Sequence, residues 1–231
     1  MIQVSISEEI AGKCPDLHVA VISCDLQNTA SNPQLWQEIQ QAEEQLRSQC
    51  TLQQANKLPS IQATRQAYKA CGKDPNRYRP SAESLRRRVL RDLPLYRIDT
   101  LVDVINLISL VSGYSIGGFD ADKIQGPLVL GIGREGEPYQ GIGRGELNIA
   151  GLPVYRDRLG GIGTPTSDEE RTKIGLDTRH LLMIINAYSG EAGLETTIHN
   201  SIDLLKRYVS ATHVEVNIIK AASGTGVEGF A

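Results

Sequence analysis

The sequence predicts an α+β fold: one domain in which helices pack on a mostly antiparallel, glycine-rich sheet. Two observations carry this. In the first half, Asn32-Pro33, Pro59-Ser60 and Pro80-Ser81 each precede a stretch with helical periodicity. After Gly113 the chain changes character: 14 of its 22 glycines fall between Gly113 and Gly163, separating short apolar runs such as PLVLGI and LPVYRD. Apolar runs alternating with turn residues are the pattern of hairpins. A chain of 231 residues is long enough for one large domain or two small ones. No linker or low-complexity block divides it, so a single domain is expected.

Taken in order, the alternation of Ile2, Val4 and Ile6 predicts a first strand, and the β-branched run HVAVISC at 18–24 a buried one. With Asn32 as N-cap and Pro33 at the first helical position, a helix should run through LWQEIQQAEEQLRSQ. A second, IQATRQAYKACG, should end at Gly72. The two prolines of DPNRYRP predict an extended segment, after which Ser81 should cap the strongly basic helix AESLRRRVLRD. TPTSDEERTKIGLDT reads as a loop or short helix and LLMIINAY as a buried strand. Leu194, Ile198, Ile202, Leu205 and Val209 mark one face of a helix, and Val214, Val216 and Ile218 a last strand. The tail AASGTGVEGFA, residues 221–231, is expected to be flexible.

Composition narrows the function classes. Hydrophobic residues make up 40% and charged residues 22%, as in a soluble globular protein. The longest apolar run falls far short of the roughly 20 residues of a bilayer span. The N-terminus MIQVSISEEI lacks the basic and apolar regions of a secretory signal. The expectation is a cytoplasmic protein with no membrane contact. Cys14, Cys24, Cys50 and Cys71 have no metal-like spacing and read as free thiols, and no metal or cofactor is expected. A net charge of −3 excludes a general affinity for nucleic acid. Yet ten Lys or Arg stand against three acids from Arg65 to Arg97, with Arg86, Arg87, Arg88 and Arg91 on one predicted helix. That excess is either a phosphate-facing patch or a solvated helix face.

The stretch LVDVINLISL at 101–110 predicts a helix apolar on nearly every side, hence buried. Its polar residues Asp99, Asp103 and Asn106 stand four and three apart, on one stripe. Such a stripe either satisfies buried backbone or lines a cavity. Gly113, Gly117 and Gly118 follow at once and allow close approach to the backbone. A pocket is therefore expected between Asp103–Asn106 and a glycine turn at Gly117–Gly118, with the hairpins as its other wall. Gly131 to Gly136 satisfies GxGxxG, but Pro138 and a second glycine cluster follow where a dinucleotide site needs a helix. Asp168, within Thr166-Ser167-Asp168-Glu169-Glu170, is either part of a helix cap or an acid at a pocket edge.

From PSAESLRRRV through YRIDTLVDVINLISLVSGYSIGGFDADKI the chain resembles the B3/B4 domain, the editing domain of the phenylalanyl-tRNA synthetase beta chain. The matching features are a basic helix opened by Pro-Ser, a VDV-x-N helix, a glycine turn and an FD-x-DK-[LI] turn. Gly136-Glu137 and Gly160-Gly161-Ile162 complete them, over about residues 80 to 190. The resemblance implies an N-terminal extension at 1–79 packed on the same domain, a B3/B4-like domain at 80–220 and a tail at 221–231. In the synthetase the domain hydrolyses tyrosine wrongly attached to the phenylalanine tRNA. The implied activity is thus hydrolysis, in trans, of a mischarged aminoacyl-tRNA ester, a form of double-sieve editing. The partners would be the aminoacylated 3′ end of a tRNA and its amino-acid moiety. Asp103, Asn106, Gly117, Gly118, Phe119 and Asp168 would bind substrate, and Arg86, Arg87, Arg88 and Arg91 the tRNA. One departure stands out: the synthetase motif carries His two residues before its Phe, where this chain has Gly117. The other reading is a pocket without catalysis, holding an amino acid, a tRNA or a protein partner.

Overall fold

The runs HVAVISC and LLMIINAY are apolar without alternation because the sheet they build is covered on both faces. In the computed structural model, which describes residues 1–221, strand β1 (Val4–Ile6) and helix α1 (Glu8–Lys13) lead into β2 (His18–Asp25). Four helices follow: α2 (Pro33–Gln49), α3 (Pro59–Ala70), α4 (Ser81–Val89) and α5 (Thr100–Ser112). Next come β3 (Ile116–Asp120), β4 (Leu128–Ile132), β5 (Gln140–Gly141), β6 (Gly145–Glu146), β7 (Pro153–Asp157) and β8 (Gly160–Gly163). The described chain ends with β9 (His180–Ala187), α6 (Leu194–Val209) and β10 (Thr212–Lys220).

Strands β10-β2-β9-β3 form an antiparallel sheet, and β1-β4-β7-β8 a second one. Ala20, Ile22, Met183 and Ile185 of the first sheet pack on one side with Trp36, Leu101 and Leu205 from the helices. Val19, Val21, Leu182 and Ile184 point the other way, onto Leu128, Leu130 and Ile162 of the second sheet. The result is three layers: helices, sheet, sheet. A buried polar tie crosses between the sheets. Tyr155 donates its hydroxyl to Asn186 Oδ1 at 2.6 Å, and Asn186 Nδ2 donates to Ser115 O at 3.1 Å. Residues 1–79 are woven into both sheets, since β1 pairs with β4 and β2 lies between β10 and β9.

The α+β class and the mostly antiparallel sheets agree with the sequence reading; local details differ. The β1–β4 pair is parallel. LNIAG forms no strand, and the hairpin before it is only two residues deep on each side. The first residues of DPNRYRP form a turn, since Tyr78 N donates to Asp74 O at 3.0 Å. The basic helix begins one residue early, with Ser81 inside it and Pro80 at the cap. The predicted flexibility of the tail falls on residues 222–231, outside those described. All four cysteines are free. Among the described residues no helix is long and apolar enough to cross a membrane.

Candidate functional site

Helix α5 supplies the site's floor. It is apolar nearly all round because α2, α4 and α6 flank it. Its polar stripe divides by role. Asp99 is the N-cap and accepts from Val102 N at 2.9 Å. Asp103 is 1% exposed and accepts from Trp36 Nε1 at 2.7 Å and Ile98 N at 3.1 Å. Burial pushes its carboxyl above the usual range, against the pull of those two hydrogen bonds. Asp103 does not reach the cavity, so the expectation that it binds substrate gives way to a structural role. Asn106 is the member of the stripe that does reach it.

The cavity, about 420 Å³, lies between α5, α4, β3 and the loop at 164–168. Leu85, Val102, Ile105, Ile116, Ile142 and Ile174 make it mostly apolar; Asn106, Ser167, Asp168 and Lys173, the last paired with Glu170, are its main polar groups. The loop is held stiffly. Thr164 Oγ1 donates to Ser167 O at 2.9 Å, Tyr139 donates its hydroxyl to the same oxygen at 2.7 Å, and Ile142 N donates to Asp168 O at 3.0 Å. Asp168 Oδ2 accepts from Gly118 N at 3.2 Å. Burial pushes this carboxyl up to about 7, the Gly118 N–H pulling the other way. Asp168 caps no helix. That role belongs to Glu169, which accepts from Arg171 N at 2.7 Å at a single 3-10 turn.

Gly117 and Gly118 lie inside strand β3, neither at positive φ, rather than in a turn. As neighbours on a strand they face opposite ways. Gly118 faces the cavity, where a Cβ would meet Ile105 Cδ1 at 2.5 Å and Ile174 Cδ1 at 3.0 Å. Gly117 faces the second sheet, where a Cβ would lie 2.7 Å from Phe119 Cζ and 3.5 Å from Asp168 Oδ1. The Phe119 ring, 1% exposed, fills the space beside Gly117 and packs against Gly163. Gly117 and Phe119 therefore lie behind the cavity wall. The glycine that stands where the synthetase motif carries His therefore opens no space in the pocket, because the Phe119 ring occupies that volume.

The basic helix is also less uniform than its sequence. Arg86 is buried and donates to Leu110 O at 3.0 Å. Arg87 donates to Glu83 at 2.7 Å, a fully buried acid that Arg65 also pairs at 2.8 Å. A single phosphate-facing row of four arginines is thus not what forms. Arg88 donates to Pro94 O at 2.6 Å and lies 3.6 Å over the Tyr96 ring, and Arg91 is exposed with no ion pair among the described residues. Ser81, Leu85 and Arg88 share one face of α4, and the first two line the cavity. Arg88 therefore stands one turn from the cavity wall. Beside it, Tyr96 is 63% and Ile98 58% exposed, and Ile98 lines the cavity. Sequence reasoning missed this aromatic ledge; its signal was an apolar-aromatic segment, LPLYRI, directly after a run of arginines.

A mostly apolar cavity with a few convergent polar groups in a layered α+β domain is the form that small-ligand sites take, and it is the candidate site of this chain. The chain belongs to the B3/4 domain family, whose model matches residues 63–222. It is similar to the N-terminal fragment of the phenylalanyl-tRNA synthetase beta-subunit from Pyrococcus horikoshii, a crystal structure, with 12% identity and a TM-score of 0.43. That likeness covers 88% of this chain and 48% of the other, so the chain spans about half of it. No curated protein matches the chain.

Proposed function

We propose that this protein receives the aminoacylated 3′ end of a tRNA and hydrolyses its ester, acting in trans on a mischarged tRNA. The observation that carries the reading is the presence of one carboxyl, Asp168, and one amide, Asn106, in the lining of a mostly apolar cavity, next to an arginine-backed aromatic ledge. In this reading the amino-acid side chain enters the apolar cavity. Asp168 pairs with the α-ammonium and Asn106 donates to the ester carbonyl. Tyr96 offers a face on which an unpaired 3′-terminal base stacks, and Arg88 and Arg91 meet the phosphates. An aminoacyl ester is activated, so orientation and a held water suffice, and a nucleophile–base pair is not required.

The test is a deacylation panel across aminoacyl-tRNAs. Hydrolysis of at least one of them, lost in Asn106→Ala, supports the reading. Binding without turnover of any member assigns the pocket to the non-catalytic alternative. The Asn106 side chain has no hydrogen-bond partner among the described residues, so its truncation should lower stability by no more than ~1 kcal/mol. The rate constant for the preferred substrate should nevertheless fall by about 10-fold or more. A variant that melts early and keeps full specific activity would return Asn106 to a structural role.

The tRNA surface has its own test. Tyr96→Ala should weaken tRNA binding by about 1–3 kcal/mol, the usual range for a stacked base. Arg91→Glu should weaken it further and flatten its salt dependence, because each lost phosphate contact removes released counterions. Arg87 is unsuitable for such a test, since a glutamate there would face buried Glu83. Unchanged binding in both variants would place the tRNA elsewhere.

A further inference from the structure

A second cavity, about 520 Å³, lies between α2, α4 and the C-terminal end of α5. Arg86 forms part of its wall and is 8% exposed. One of its terminal nitrogens donates to Leu110 O at 3.0 Å and the other approaches Cys50 Sγ at 3.8 Å, while the buried Nε–H has no acceptor. Among the described residues no carboxylate pairs with this guanidinium. The buried acids on the adjoining helices are committed elsewhere: Glu83 to Arg65 and Arg87, Glu43 to Arg47 and Leu95 N. The carbonyl end of α5 offsets part of the charge. It leaves a buried guanidinium, part of the cavity wall, without a carboxylate partner among the described residues, an arrangement that is costly unless an anion completes it.

The rest of the lining fits an anion as well. No acidic side chain lines the cavity. Lys57 stands at it, exposed and with no ion pair among the described residues. Gln45, Gln49 and Gln54 bring amide donors, and Leu46, Leu110 and Val111 supply apolar wall. We propose that this cavity binds a small organic anion, a carboxylate or phosphate monoester on a short apolar body, with Arg86 as its buried counter-charge and Lys57 at the entrance. The site is independent of the tRNA reading. It shares no residue with the Asp168 cavity, and unlike that cavity it has no acidic side chain in its lining.

Isothermal titration of the whole chain at constant ionic strength tests the proposal, with succinate, methyl phosphate and neutral succinamide as probes. Succinate or methyl phosphate should bind one to one with a Kd below about 10 mM, and succinamide should not. Preference between the two anions identifies which acid group the site takes. Arg86→Gln should abolish binding. Because Arg86 also braces α5, Lys57→Glu is the decisive variant: it should melt as the parent does and bind the anion at least about tenfold more weakly. The proposal is overturned if neither anion binds in that range, if succinamide binds equally well, or if Lys57→Glu binds as the parent does.

Discussion

Under the proposed deacylation, Asp168→Asn is expected to cut the rate by about 100-fold or more, and in any case to make the protein more stable above pH 7. The substitution keeps shape and keeps an acceptor for Gly118 N, so the loop at 164–168 should stand. The stability effect follows from linkage. The carboxyl titrates near 3.8 when unfolded and at about 7 when folded. The folded state therefore binds this proton more tightly. The resulting stability is fully present below pH 4 and lost as pH rises towards 7. Asparagine does not titrate, so the variant's advantage should open between about pH 4 and 7 and level off above, at roughly 1–4 kcal/mol. The functional effect has the opposite sense. Below pH 7 the parent's carboxyl gains a proton and stops pairing with an α-ammonium, so parental activity should fall there and the residual activity of Asp168→Asn should not follow. Denaturant melts at pH 5 and pH 8, beside a pH–rate profile, read both. A variant less stable at pH 8 with unchanged activity would leave the carboxyl without the proposed role.

The second large effect is expected where Phe119 lies against two glycines. Its ring fills a slot walled by Gly117 and Gly163; a Cβ on Gly163 would stand 2.8 Å from Phe119 Cε1, with Cζ closer still. Phe119→Ala should cost about 3–5 kcal/mol, the loss of a buried aromatic plus the cavity it leaves. Gly163→Ala and Gly117→Ala should each cost about 1–3 kcal/mol by overpacking, because the two sheets hold the ring in place. Phe119→Leu combined with Gly163→Ala should recover part of that cost, a coupling that a double-mutant cycle isolates. Gly117→His, which restores the residue found at this position in the synthetase motif, should be destabilising for the same reason. If it folded with parental stability and changed substrate preference, Gly117 would face the pocket after all and this packing account would fail.

Much of the fold was legible in the sequence, because it rests on local and periodic signals. Asn32-Pro33 started a helix as its capping chemistry requires, and Asn32 Oδ1 accepts from Gln34 N and Leu35 N at 3.0 and 3.1 Å. The uniform apolarity of LVDVINLISL meant burial, and α5 is buried. What misled was chemistry that looks alike in a string and differs in space. Asp103 and Asn106 are three residues apart on one stripe, yet Trp36, from α2, claims the first and leaves the second to the cavity. Which neighbour an element meets is a long-range matter that no helical period encodes.

The arginines and glycines make the same division. Sequence alone determined that 86–88 would be a basic helical turn and that 117–118 would admit close approach to the backbone. Tertiary structure decided that Arg86 turns inward to the carbonyl end of α5, that Arg87 is consumed by Glu83, and that Arg88 alone of the three stacks on an exposed tyrosine. It also decided that Gly118 faces the cavity while Gly117 makes room for a ring. Residue type and spacing set which face a side chain occupies. Whether that face meets solvent, a counter-charge or an empty cavity depends on segments tens of residues away in the chain.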